Sequence, residues 1–154
     1  MLSLTITLDD PNLDPVALTE LYGLIGWNAN GQRTPDRTAR ALRASVRYAS
    51  AAHLGELVGF GRISGDEYAA QIVDVITHPE YRRQGIATKI MHKLLEAANE
   101  QCLGLVLIDG SGYNDFYERF GFTTADPTSD RLMYWSRREH APSSAKSRPP
   151  HQKD

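Results

Sequence analysis

Cysteine is almost missing from this chain: Cys102 is the one cysteine among 154 residues. An internal disulfide is therefore excluded, and no grouping of cysteine and histidine has zinc-ligand spacing. The histidines at 53, 78, 92, 140 and 151 fall on different segments, so none is read as a metal ligand. An excess of one charge is missing too. Seventeen basic against nineteen acidic side chains leave a formal charge of -2, without the basic footprint that nucleic-acid binding needs. No run approaches the roughly 18 apolar residues that span a bilayer, and the opening Met1-Leu2-Ser3-Leu4-Thr5 lacks the basic and long apolar regions of a signal peptide. These absences predict a soluble, unexported protein in a reducing, cytoplasmic setting, with neither a nucleic-acid nor a membrane partner. The spacings G-x-x-x-x-G-K-S/T and G-x-G-x-x-G are absent as well, which argues against a P-loop hydrolase and a Rossmann dehydrogenase.

What is present fits one compact domain. An apolar share of 41% and a charged share of 23% are ordinary for a packed globular chain. Alternation of Leu2, Leu4, Ile6 and Leu8 predicts a first strand, ended by Asp9-Asp10-Pro11-Asn12. Leu18, Leu21, Tyr22 and Ile25 recur at helical spacing before Gly26; after a polar loop over 28–32, Thr34-Pro35 supplies an N-cap and a first helical residue for a second helix over 36–45. Three β-like runs follow, over 46–53, 57–63 and 68–77, with glycine-containing breaks between them. The third carries Ile72, Val73, Val75 and Ile76 on both faces, as a central strand does. Ile86, Ile90, Leu94 and Ala97 form an apolar stripe opposite Lys89, Lys93, Glu96 and Glu100, which predicts the longest helix. A strand over 104–108, a short helix over 113–120 closed by Gly121, and a last strand over 131–136 complete the order. The domain is expected over 1–136. From Arg137 onward the Pro-, Ser- and Lys-rich composition predicts a disordered tail. Cys102, at the apolar end of the long helix, reads as a buried small hydrophobe and not as a nucleophile.

The chemistry-bearing segment is the junction between the third of these runs and the long helix, from Asp74 through Arg82-Arg83-Gln84-Gly85-Ile86-Ala87 to Thr88. A buried strand passing through a basic, glycine-containing turn into a helix brings free N–H groups, the helix dipole and arginines to one point, which is an anion site. Arg82-x-x-Gly85-x-Ala87, preceded by His78-Pro79-Glu80-Tyr81, resembles the Q/R-x-x-G-x-G/A signature of the GCN5-related N-acetyltransferases (GNAT). Asn114-Asp115-Phe116-Tyr117-Glu118-Arg119-Phe120-Gly121-Phe122 resembles that family's second feature, a short helix with an aromatic-Tyr pair before Gly-Phe.

The resemblance, which covers about residues 2–136, implies an α/β (α+β) fold of the GNAT acyl-CoA N-acyltransferase type, a mixed, mostly antiparallel central sheet flanked by helices. It implies an acetyl-CoA-dependent N-acetyltransferase that moves the acetyl group directly to a primary amine in a ternary complex, with no metal. Carried over residue by residue, Val75, Ile76 and Thr77 match the strand whose backbone binds the pantetheine arm beside a bulge. Arg82, Arg83, Gln84, Gly85, Ile86, Ala87 and Thr88 match the pyrophosphate loop, with small Ala87 allowing close approach. Asn114 matches a second pantetheine contact, and Tyr117 matches the acid that protonates the leaving thiolate.

Bland readings stand beside these. Asn114 can be an ordinary helix N-cap and Tyr117 a packed aromatic. Asp74, a carboxylate inside an apolar run, is a candidate general base, with His78 and Glu80 behind it, but a satisfied structural carboxylate is the alternative. The acceptor, a small-molecule or peptide amine, is expected beside the first two helices, where Tyr22, Trp27 and the 28–32 loop line a pocket; Asp36, Asp74 and Asp109 are the groups that would attract a cation there. A catalytically silent CoA-binding sensor and an acyltransferase using another acyl-CoA are the competing functions. A homodimer is left open.

Overall fold

A computed structural model describes residues 2–110, 112–126, 128 and 133. Apart from Met133, which is exposed, the expected strand over 131–136, the domain end at 136 and the tail from 137 lie outside the described residues. The chain divides into two compact units, Met1–Phe122 and Thr123–Asp154. In the second, Asp126 Oδ1 accepts from the amide and the hydroxyl of Thr128 at 2.8 and 2.7 Å. All elements below belong to the first.

Their order is β1 (Leu4–Leu8), α1 (Pro15–Leu24), α2 (Pro35–Ala44), β2 (Arg47–His53), β3 (Glu56–Gly65), β4 (Ala70–Thr77), α3 (Ile86–Glu100), β5 (Leu105–Leu107) and α4 (Asn114–Glu118). The sheet runs β1-β2-β3-β4-β5, antiparallel except for the parallel pair β4–β5. The expected mixed, mostly antiparallel sheet is therefore present, and β4 lies inside it. The second helix starts as the sequence predicts, with proline at the first position and a side chain capping it, Thr34 accepting from the amide of Arg37 at 3.3 Å; the first starts the same way, with Asp14 accepting from the amide of Val16 at 2.9 Å before Pro15. Among the described residues no helix is long and apolar enough to cross a membrane.

Two hydrophobic clusters cover the sheet. Ile86, Ile90, Met91, Leu94 and Ala98 of α3 pack with Ala49, Ala51, Val58, Ile63, Ala70 and Ile72. Leu18, Leu21 and Tyr22 of α1 and Leu42 of α2 pack with Phe60 and Ile76. Ile72 and Ile76 are four residues apart on one strand, so unbroken alternation would put them on the same face. They lie in different clusters because of a bulge: Phe60 pairs with Ile76 and Arg62 with Val73, so Asp74 and Val75 oppose Gly61 alone. Asp74 takes φ +57°, and the extra residue inverts the alternation.

The seating of α3 depends on two glycines that the sequence reading did not single out. A Cβ at Gly59 would stand 2.5 Å from Ile86 Cγ2 and 2.9 Å from Ile90 Cδ1, and one at Gly61 would stand 2.8 Å from Ile90 Cγ2. Bare backbone at these points lets the helix approach the strand. Gly59→Ala is expected to cost about 1–3 kcal/mol by overpacking, read as a lower urea midpoint at unchanged slope.

One expectation about α3 is corrected. Cys102 is exposed, not buried. It occupies the left-handed position after the helix, φ +55°, where it turns the chain; its amide bonds Asn99 O at 3.1 Å and that of Leu103 bonds Ala98 O at 2.9 Å. Leu103, one residue on, makes the hydrophobic contact instead.

Candidate active site

β5 pairs with β4 only from Ala70 to Ile72, against Leu105 to Leu107. Beyond Ile72 the two strands have no ladder pairing among the described residues, while β4 runs on to Thr77 and stays bonded to β3 on its other side through Ile76 and Thr77. A strand paired on one side and unpaired on the other presents amides and carbonyls to an extended ligand, as an added strand would use them. Val75, Ile76 and Thr77 lie in this segment.

The chain then makes one short helical turn, Pro79–Tyr81, capped by His78, whose Nδ1 accepts from the amide of Glu80 at 3.2 Å. His78 is thereby built into the turn, and Glu80 is exposed. Arg83 and Gly85 follow with φ +60° and +76°. Left-handed residues in such a turn tip successive N–H groups toward one concave face, a shape that suits anions. Gly85 is the N-cap of α3, and no side chain caps the helix there. Because the 15-residue helix leaves its first N–H groups without a side-chain partner, its positive dipole end opens onto the exposed Arg82, Arg83 and Gln84. A Cβ at Gly85 would meet nothing within 4 Å, so there is room for a ligand at this end. Ile86 is fully buried against the sheet and fixes the helix start; Ala87 and Thr88 are partly buried. These residues fit a diphosphate.

α4 is shorter than expected and begins at Asn114, with Tyr113 as its N-cap and no side-chain cap bond. Asn114 is therefore the first helical residue and exposed, not the N-cap. Tyr117 packs its ring edge-on against Phe116 at 5.0 Å and Phe122 at 6.3 Å, beside the α3 cluster. Burial pushes its phenol above the usual range, and the nearby Asp109 and Tyr113 add to the effect.

Asp74 is the centre of a polar cluster on the α1 side of the bulge. Its Oδ2 accepts from Tyr22 Oη and from Arg62 Nε, each at 2.8 Å, and Arg33 Nη2 stands 4.0 Å from Oδ1. Burial and the bond to Asp74 drive the Tyr22 phenol well above its ordinary pKa, so it is the donor in that bond. Arg62 escaped the sequence reading. The available signal was an arginine inside the otherwise apolar run 57–63, which calls for a buried anion.

A pocket of about 450 Å³ opens next to this cluster, lined by Tyr22, Trp27, Asn30, Gln32, Arg33 and Arg37 with one side of α2. The expected aromatic and loop residues are thus brought together, and Asn28 clamps the loop by exchanging two hydrogen bonds with the Arg33 backbone at 2.8 and 2.9 Å. The expected carboxylates are not among its walls. Asp36 is exposed on the first turn of α2, Asp109 follows β5, and Asp74 faces Arg62 and Tyr22. The charged lining is arginine.

Comparison with known proteins agrees with this geometry. The chloroplastic GCN5-related N-acetyltransferase 2 of Arabidopsis thaliana is 35% identical over 82 residues, 52% of this chain and 31% of its own length. The histone acetyltransferase TAP1 of Glycine max is 29% identical over 137 residues, 80% of this chain and 58% of its own. The chain thus spans about a third to three fifths of the length of these curated relatives. A probable acetyltransferase from Staphylococcus aureus superposes with a TM-score of 0.72 over 86% of this chain and 99% of its own at 21% identity, which is a likeness of fold. The family model described as "Acetyltransferase (GNAT) domain" matches residues 44–124, a span from the end of α2 through the unpaired edge of β4, the Arg83–Gly85 turn and the helix of Tyr117 and more than half of the whole chain, and the chain accordingly belongs to the GNAT acetyltransferase family.

Proposed function

We propose that this acetyltransferase moves the acetyl group of acetyl-CoA to a primary amine by direct attack in a ternary complex. The observation that carries the reading is the continuous path from the unpaired edge of β4, over Val75 to Thr77, into the turn at Arg83 to Gly85 and the uncapped start of α3. The backbone of Val75 and Thr77 would hold the pantetheine arm, and the amides from Arg83 to Thr88, with Arg82 beside them, would hold the pyrophosphate. Asn114, exposed at the start of α4, would add a contact to the arm.

Acetyl-CoA supplies an acyl thioester whose carbonyl carbon an amine can attack. The protein's part is to position the amine, take one proton and give one. Tyr117, protonated at neutral pH, donates its proton to the sulfur as the C–S bond breaks, so that a thiol departs and not a thiolate. The amine must lose a proton as its new C–N bond forms. Asp74 Oδ1, the oxygen not shared by Tyr22 and Arg62, is the candidate to receive it, directly or through water. The balance closes with an N-acetylated amine, free CoA, a protonated base and a phenolate that water reprotonates.

The acceptor enters the pocket beside α1 and α2. The soybean relative is named for histones, and the fold is shared with a glucosamine-6-phosphate N-acetyltransferase from Arabidopsis thaliana; both names imply an amine acceptor without choosing between peptide and small molecule. Incubating the full chain with acetyl-CoA and a panel of amines and peptides tests the proposal. Expected are amine-dependent thiol release and a product heavier by one acetyl group. Tight CoA binding without turnover on any amine would favour a silent CoA sensor, turnover only with another acyl-CoA would move the enzyme to a different donor, and no CoA binding would overturn the reading.

A further inference from the structure

The pocket beside α2 departs from what a cationic acceptor needs. Its volume of about 450 Å³ suits a small molecule. Among the described residues that line it, the charged ones are Arg33 and Arg37, and none is a carboxylate. Arg33 is held before any ligand arrives: its guanidinium lies 4.1 Å above the centre of the Tyr22 ring and 6.0 Å from that of Trp27, and Nε donates to Trp27 O at 3.1 Å. A guanidinium fixed in this way loses little side-chain freedom when it binds a planar or tetrahedral oxyanion. Arg37, in the first turn of α2, forms no ion pair among the described residues.

The surrounding charges do not cancel this pair. Asp74 is the carboxylate nearest to Arg33, at 4.0 Å, but its other oxygen is already engaged by Arg62. Two arginines among the described lining residues, with no carboxylate beside them, leave an excess of positive charge in the pocket walls. A lysine-rich peptide or a polyamine would bring more of the same sign, and like charges in a partly dehydrated site repel. An acceptor bearing a carboxylate or phosphate beside its amine would complement it. Tyr22 ties the two parts of the site together, since it both lines the pocket and bonds Asp74, next to Val75 on the open strand.

We propose that this enzyme acts on an amine that also carries an anionic group, an amino acid or a phosphorylated amine, whose oxyanion is held by Arg33 and Arg37. The inference rests on the acetyl-transfer reading and names its acceptor class. It is tested on the full chain with acetyl-CoA and matched acceptors: phosphoethanolamine against ethanolamine, phenylalanine against phenethylamine, and a lysine-rich peptide. The anionic member of at least one pair is expected to have the higher kcat/KM, by roughly ten- to a hundredfold from charge-assisted bonding, with the peptide slowest. In Arg37→Gln, a change at an exposed side chain, the ratio within that pair should fall toward one. Which pair responds separates phosphate from carboxylate. Neutral members equal to or faster than anionic ones, a leading peptide, or a ratio unmoved in Arg37→Gln would each overturn the proposal. Binding gives a second readout independent of turnover. Trp27 lines the pocket, so phosphoethanolamine and phenylalanine are titrated against its fluorescence, with Trp27→Phe as the blank. A saturable change lost in Arg37→Gln supports the anion site even if no acceptor is acetylated, and no change with either probe sinks it. Failure of the acetyl-transfer reading appears separately, as absent CoA binding or absent thiol release.

Discussion

Replacing Tyr117 by phenylalanine should lower kcat for acetyl transfer by about 10²- to 10⁴-fold, the usual contribution of a positioned general acid, while CoA affinity and KM for the amine stay within about threefold. The ring is retained in that variant, and with it the edge-on contacts to Phe116 and Phe122. What goes is the hydroxyl. A thiol has an ordinary pKa of about 8.5, so an unassisted thiolate departs at a cost that a neighbouring proton donor removes. Burial raises the Tyr117 phenol above its ordinary pKa of about 10, with Asp109 and Tyr113 adding to the effect. A raised pKa keeps the proton in place as pH rises, so the wild-type enzyme should retain its acid through pH 9, and any loss of rate below that pH must come from another group. The measurement is a pH profile of kcat for both proteins with one acceptor. A Tyr117→Phe enzyme within about twofold of wild type across pH 7–9 would remove the acid role and leave Tyr117 as the packed aromatic that its neighbours also allow.

How much of this was legible in the sequence differs by element. α3 could be read because its apolar stripe repeats at helical period over four turns, and the turn before it could be read because Arg82, Arg83 and Gly85 form a basic, glycine-containing segment that leads directly into that stripe. The caps of α1 and α2 obey local rules, and local rules are visible in sequence. The bulge was not legible from the residues. Nothing in the order Ile72-Val73-Asp74-Val75-Ile76 says that Ile72 and Ile76 serve opposite clusters; that follows from pairing with β3, where Gly61 alone opposes two residues. The glycines at 59 and 61 lie unremarked inside the predicted run 57–63, and their purpose appears only when Ile86 and Ile90 are set against them. The acceptor pocket was half legible. Tyr22, Trp27 and the polar loop were identifiable as neighbours, but the sign of the pocket was not. That sign depends on which charges converge in space, and the aspartates that a linear reading offers as cation bait lie elsewhere or are already paired. Cys102 failed for a simpler reason: the position after a helix end is usually glycine or asparagine, and a cysteine in the left-handed conformation there gives no local cue.

Asp74 is where fold and chemistry are hardest to separate, and substitution can separate them. Asp74→Ala is expected to lower stability by about 3–5 kcal/mol, because it removes one member of a largely buried pair and leaves Arg62 and the Tyr22 hydroxyl without their acceptor. The backbone adds to the loss, since φ +57° suits an aspartate better than an alanine, by about 1 kcal/mol. Asp74→Asn should be much milder, about 1–2 kcal/mol: asparagine tolerates the left-handed conformation, and its carbonyl oxygen can still accept from Tyr22 or Arg62. Urea denaturation of both variants gives these values directly, and combining Asp74→Ala with Tyr22→Phe should cost less than the sum of the two, because the phenol no longer needs an acceptor. The asparagine variant then isolates the chemistry. It keeps the shape of the side chain and loses the capacity to take a proton at neutral pH. If Asp74 Oδ1 receives the proton from the amine, Asp74→Asn should lose about 10²-fold or more in kcat, and raising the pH, which deprotonates more of the free amine, should restore part of the rate. A folded Asp74→Asn protein that acetylates at the wild-type rate would leave Asp74 with one task, holding the bulge of β4 against Tyr22 and Arg62 so that the strand beyond it stays open.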